Sequence, residues 1–215
     1  MPTKPDPRFL SIAAHDLRGA VGVLDGAMKE LVRQVSPDNP DTLKLTQMMG
    51  RSTQRLLLLG DRLSSMSHLL GGGELELQPN VDIFELVKEA GNRAFSAYAR
   101  RNLHLQLEGS PTPGAVHAQT FSAAVTELTA LFCGFSQAEL KISVGHEGDA
   151  VRVKFESDNT NESVHRALSD RGATTQANAC INFAEAVLSQ HRGSLELSDT
   201  DGSRATISLR LLRAH

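Results

Sequence analysis

The chain has 215 residues, enough for one compact domain or two small ones. Its 22 basic and 25 acidic residues are mixed along the sequence and leave a net charge of −3, which excludes the electrostatic footprint of a nucleic-acid binder or of a protein drawn to anionic membrane. No apolar run approaches the ~18 residues of a membrane span, and Cys133 and Cys180 stand in apolar helical surroundings without metal-ligand spacing, so the expectation is a cytoplasmic protein with two buried thiols and no metal.

In chain order, Leu10, Ala13, Leu17, Val21, Leu24, Met28, Leu31 and Val35 recur at steps of three or four and predict one long helix. Asp6-Pro7 opens it with a capping side chain and a first-turn proline, and Ser36-Pro37 closes it. SPDNPD is a turn, and Asn39-Pro40 repeats the capping arrangement before a second seam of Leu45, Met48, Ser52, Leu56, Leu59, Leu63, Met66 and Leu70. At ~1.5 Å per residue each helix is about 45 Å long. Ile12, Val23, Leu57 and Leu58 stay apolar beside these seams, so one hairpin leaves apolar surface uncovered. Pairing two hairpins into a dimeric four-helix bundle covers it, and makes the protein a homodimer. The N-terminal MPTKPDPRFL lacks the apolar middle of a signal peptide.

Gly71-Gly72-Gly73 ends the second helix, and the periodicity changes after it, which places a domain boundary between residues 1–73 and 74–215. ELELQ (74–78) reads as a strand, residues 82–101 as a helix and LHLQLE (103–108) as a strand with Leu103, Leu105 and Leu107 alternating; SPTPG (110–114) reads as a turn. A helix over 118–135 follows, then the strands LKISVG (140–145) and AVRVKFE (150–156), joined through His146-Glu147-Gly148-Asp149. Residues 158–175 are polar and carry no assignment; 176–190 read as a helix, and GSLELS and RATISLRLL close the chain as strands around Asp201-Gly202. The fold class is α+β, a meandering sheet with helices on one side.

His15 is the candidate functional residue. It precedes Leu17 by two positions, about 200° around a helix, so it points away from the seam into water. A lone histidine there is an ordinary solvated residue, but its neighbours give it a use. Asp16 can accept a hydrogen bond from one ring nitrogen and leave the other as a nucleophile, and Arg18, one turn on, offers charge for a phosphoryl group. Ala13, Ala14, Gly19, Ala20 and Gly22 would let another protein's backbone approach closely. The remaining histidines, His68, His104, His117, His146, His165, His191 and His215, fall in turns, ends or outward strand positions, and are expected at the surface.

The stretch FLSIAAHDLRGAVGVL resembles the H-box of sensor histidine kinases, F-x-x-x-x-S-H-[DE]-L-R-[TN]-P-L, with Phe9, His15, Asp16, Leu17 and Arg18 at matching positions. RLLLLGDRLSSMSHLLGGGELELQPNVDIFELVKEA resembles the exit of that family's helical hairpin, and AVLSQHRGSLELSDTDGSRATISLRL the end of its ATP-binding domain. The resemblance implies a dimerisation and phosphotransfer hairpin over 1–73 with His15 as phosphoacceptor, followed by an α/β sandwich over 74–215 like the kinase ATPase domain. It also marks departures. Where the family has N-L-L-x-N-A-x-K-[YF], this chain has ELTALFCGF, keeping only the carboxylate Glu127, with Leu131 and Gly134 in place of the second asparagine and the lysine. The D-x-G-x-G turn is replaced by SDNTNES after VRVKFE, and G-x-G-L by Asn178-Ala179-Cys180-Ile181. Glycines allow the close backbone approach that phosphates need, so the resemblance, with these losses, implies a degenerate site holding no ATP and no metal.

Two functions follow as expectations. The first is a phosphorelay histidine phosphotransferase, with His15, Asp16 and Arg18 as its site, no cofactor, and as partners response regulator receiver domains, including that of a hybrid histidine kinase. The second is a non-catalytic pseudo-histidine kinase acting as scaffold or inhibitor on a response regulator or kinase. Gly19 stands where many members carry the threonine or asparagine tied to phosphatase activity, and Ala20 replaces the H-box proline, restoring a backbone hydrogen bond and straightening the helix.

Overall fold

The computed structural model describes residues 7–34, 40–72, 74–99, 102–136, 138–158, 176–200 and 204–212. The turns read around Ser36-Pro37 and Asp201-Gly202, most of the polar stretch 158–175, and His165 and His215 lie outside them. The chain divides into two compact units, Met1–Gly73 and Glu74–His215. Among the described residues no helix is long and apolar enough to cross a membrane.

The first unit is a hairpin of α1 (Pro7–Gln34) packed on α2 (Pro40–Leu70). Among the residues of α1 whose side chains are described, those buried are Ala14, Val21 and Met28, every seventh position. On α2 Thr46 and Thr53 are buried at the same interval, and Gly60 continues the row. The two threonine hydroxyls donate back to the carbonyls of Leu43 (2.9 Å) and Met49 (3.0 Å), so their methyls can face the contact without an unsatisfied polar group. This differs from the seam read by hydropathy. Leu24, Leu31, Leu45, Met48, Leu56, Leu59 and Leu70 are exposed on the single chain, as are Ile12 and Val23, whereas Leu58 is buried. The reason is physical: on α2 the contact with Ala14, Val21 and Met28 runs along a row of threonines and a glycine that a hydropathy count passes over, and much of the aliphatic stripe lies beside that contact.

The second unit is α+β. β1 (Gln78–Asp82) pairs antiparallel with β3 (Pro113–Val116), and a five-stranded sheet has the order β2 (His104–Glu108), β4 (Glu139–Glu147), β5 (Ala150–Asp158), β7 (Arg204–Leu212), β6 (Gly193–Thr200). Helices α3 (Ile83–Tyr98), α4 (Ala118–Phe135) and α5 (Gln176–Gln190) complete it. Three expectations are corrected. Residues 74–77 are not strand, and the first strand begins at Gln78. The turn read at 110–114 ends in β3, whose first residue, Pro113, is at a strand position where a missing N–H is tolerated. The sheet is not a meander: β2 runs parallel to β4, a pairing that requires a crossover, which α4 supplies, and β7 rather than β6 adjoins β5.

Register explains the layering. Ile142 faces Phe155, Val144 faces Val153, and these face Ile207 and Leu209 on β7, giving one continuous buried apolar face. Lys141, Arg152 and Lys154 alternate onto the other. The helices cover the apolar face: a Cβ at Gly91 on α3 would sit 3.4 Å from Ile142 Cδ1, and the rings of Phe132 on α4 and Phe155 stack with centroids 6.1 Å apart. Asp82 caps α3, accepting from the N–H groups of Phe84 (3.0 Å) and Glu85 (3.4 Å) and also from Thr112 (3.1 Å), so one carboxylate ties β1, α3 and the approach to β3.

Candidate functional site

His15 lies on the third turn of α1, next to buried Ala14, and faces the outer surface. Its side chain is 86% exposed and that of Asp16 75%, with Nδ1 of the ring 3.5 Å from Asp16 Oδ1, the long end of a hydrogen bond. With the proton on Nδ1, the carboxylate accepts it and Nε2 presents a free lone pair to solvent. The surface beside the ring is low. A Cβ added at Gly19, Gly22 or Gly26 would meet nothing within 4 Å, while Ile12 (61%) and Val23 (74%) stand exposed on the same side of the helix. The structure thus brings His15 and Asp16 together on an open face.

Arg18 takes another direction. Its Nε donates to Ala14 O (3.3 Å), and a terminal nitrogen lies 3.9 Å from Asp61 Oδ1 on α2. Its stem passes over Gly60, where a Cβ would sit 2.9 Å from Arg18 Cγ. The guanidinium thus faces both the backbone beside His15 and Asp61 of α2.

In the second unit, Glu127 on α4 accepts a hydrogen bond from Cys180 Sγ of α5 (3.2 Å), a contact between α4 and α5. Ala177, Asn178, Cys180 and Ile181 are buried in the opening turns of α5, so the stretch matched to a glycine loop is helical here. Leu131 is buried, and Asp158 ends β5 with its backbone paired to Arg204. Among the described residues no group of three or more His, Cys, Asp or Glu side chains is placed to hold a metal ion. Both cysteines are buried thiols outside any disulfide, and burial pushes the Cys133 thiol up to about 12.

One histidine expected at the surface is in the core. His191 is 2% exposed; its Nδ1 donates to Val187 O (2.7 Å), its Nε2 accepts from the backbone N–H of His117 (3.0 Å), and Phe121 lies 5.9 Å from its ring. Loss of hydration holds its pKa below the usual histidine value, and the ring is the neutral Nδ1–H tautomer that these partners require. It joins the end of α5 to the start of α4. The signal available in sequence was the turn after it: Arg192 has φ +53°, and a Cβ on Gly193 would lie 2.5 Å from Arg210 O.

No protein-family model matches the chain, and no curated protein matches it in sequence. Solved structures do. The Acinetobacter baumannii histidine kinase AdeS is similar over 94% of this chain and 98% of its own, at 18% identity and a TM-score of 0.55. A histidine kinase from Burkholderia phymatum STM815 is similar over 99% of this chain and all of its own, at 11% identity and 0.55. The catalytic domain of histidine kinase ThkA is similar over 65% of this chain and 97% of its own, at 13% identity and 0.52. The fold is therefore that of histidine kinases, hairpin and α+β domain alike.

Proposed function

We propose that the protein is a phosphorelay histidine phosphotransferase that moves a phosphoryl group between receiver-domain aspartates through His15, without using ATP. The observation that carries the reading is the exposed His15–Asp16 pair on a glycine-lowered face of a histidine-kinase-like hairpin. In the forward step the Nε2 lone pair attacks the phosphorus of a docked aspartyl phosphate. The N–P bond forms as the P–O bond to the acyl oxygen breaks, and the aspartate leaves as a carboxylate with the bonding electron pair. The positive charge gained by the ring is balanced by the Asp16 carboxylate, which faces the Nδ1–H group. The reverse step on a second receiver regenerates His15. An acyl phosphate is reactive enough that in-line positioning of the two proteins supplies most of the catalysis.

Two observations support the remainder of the reading. Leu24 and Leu31 stand about 60° to one side of the buried row on α1, and on α2 Leu56 stands about 60° and Leu45 and Leu59 about 100° to the same rotational side, with Met48 farther round. In an antiparallel hairpin such offsets point to one side, so these exposed side chains make a single apolar face that a second copy would cover as a four-helix bundle. The hydrogen bond from Cys180 engages the one carboxylate left at the position of the family's metal-holding asparagine. The lost glycines and asparagines argue in the same direction.

The test is to incubate the full chain with a phosphorylated receiver domain and follow acid-labile, base-stable label. Transfer to the wild type and none to His15→Ala is expected, with the fold unchanged within ~0.5 kcal/mol because the side chain is solvated. Receiver binding without transfer would instead support the scaffold reading, and magnesium-dependent binding of an ATP analogue at micromolar concentration would overturn the ATP-independent one.

A further inference from the structure

Arg18, one turn after His15 on α1, reaches across to α2. Arg18 donates through Nε to Ala14 O (3.3 Å), the residue preceding His15, and reaches Asp61 with a terminal nitrogen (3.9 Å). Between these points its stem crosses Gly60: a Cβ there would fall 2.9 Å from Cγ, 3.7 Å from Cδ and 3.6 Å from Ala14 O. Glycine inside a helix costs about 1 kcal/mol relative to alanine, so local propensity gives no reason for Gly60. The passage of the arginine stem does.

We infer that Arg18, Gly60 and Asp61 form a clasp that fixes the rotation of α1 at His15, and that Gly60 and Asp61 are positioning residues for phosphoryl transfer. The inference rests on the reading of His15 as phosphoacceptor. A histidine Nε2 stands about 6–7 Å from the helix axis, so a rotation of about 20° displaces it by about 2 Å. In-line transfer is sensitive to displacements of ~1 Å, which cost up to ~100-fold. The 3.9 Å pair is partly exposed and weak by itself, so losing the clasp loosens the helix rather than misplacing it fully, and about a fivefold loss is expected. On this account Arg18 acts through helix placement and not by touching the phosphoryl group.

The test compares transfer kinetics from a phosphorylated receiver domain to the full chain. Gly60→Ala, which pushes the stem aside, should lower kcat about fivefold and leave KM for the receiver within twofold; an unchanged kcat overturns the clasp. Asp61→Asn should slow transfer similarly, Asp61→Glu should restore it, and Arg18→Ala with Asp61→Asn should be no slower than Arg18→Ala alone. Slow transfer in Arg18→Ala with wild-type rates in Asp61→Asn would mean that the arginine serves the phosphoryl group directly, and the inference fails. If the wild type accepts no label, the phosphotransfer reading fails by itself, and amide hydrogen exchange over residues 14–18 judges the clasp: faster exchange in Asp61→Asn supports it, and equal exchange overturns it.

Discussion

Acidification should weaken the second unit through one buried ring. His191 is neutral in the folded protein because its Nε2 accepts from His117 N–H while Nδ1 donates to Val187 O, so protonating Nε2 would put a proton where a donor already points. Burial lowers its folded pKa below 6.5, the unfolded value. The unfolded chain therefore binds more protons as pH falls through 6.5, and the stability His191 contributes is complete above that pH and lost progressively below it, until the folded pKa is reached. In the limit where the folded ring stays neutral, the loss at pH 5.5 relative to high pH is RT ln(1 + 10), about 1.4 kcal/mol. Tyr98, at the end of α3, is the single tyrosine in a chain without tryptophan, so its fluorescence follows unfolding of this unit in the intact protein. Urea unfolding should be measured at pH 7.5, 6.5 and 5.5 for the wild type and for His191→Gln, which keeps a donor and an acceptor but cannot titrate. The wild type should lose up to ~1.4 kcal/mol more than the variant over that range. Parallel pH dependences would refute the reasoning, because the acid sensitivity would then belong to other groups.

Two further outcomes follow from burial. Cys133, fully buried with its thiol at about 12, should resist iodoacetamide in the native protein at pH 8 and react at the rate of a free cysteine in urea; mass spectrometry of the modified peptides reads both. On the hairpin, Leu56→Glu places a charge within the exposed aliphatic face, and light scattering should show a wild-type dimer becoming a monomer, whereas a monomeric wild type would remove the second copy from the proposal.

How much of this the sequence discloses depends on whether the determining contact is local. Both long helices, the alternation of β4, β5 and β7, and the outward direction of His15 are set by residues within one or two turns or strand steps of each other, and all are readable from periodicity. β3 hides in a proline- and glycine-bearing stretch because its partner, β1, is remote in sequence and contributes no local pattern. The order β5-β7-β6 is hidden for a related reason, since either closing strand alternates well enough to lie beside β5.

The same distinction separates the parts of the site. His15 and Asp16 are neighbours, so their pairing follows from the helix. Arg18 is equally local, yet its direction is settled by the absence of a side chain at Gly60, forty-two positions away on another helix (60 minus 18). His191 is the corresponding case in the second unit: its burial requires the start of α4 to meet the end of α5, a contact spanning 74 residues. Hydropathy also finds the aliphatic stripes of α1 and α2 without indicating which neighbour covers them. Within the chain, Ala14, Val21 and Met28 already have a partner in a row of threonines and a glycine. A helix that needed only this intrachain contact could carry polar residues at Leu24, Leu45, Met48 and Leu56. That it carries exposed leucines and a methionine there, on one side of the hairpin, is the physical argument for a second apolar surface packed against it.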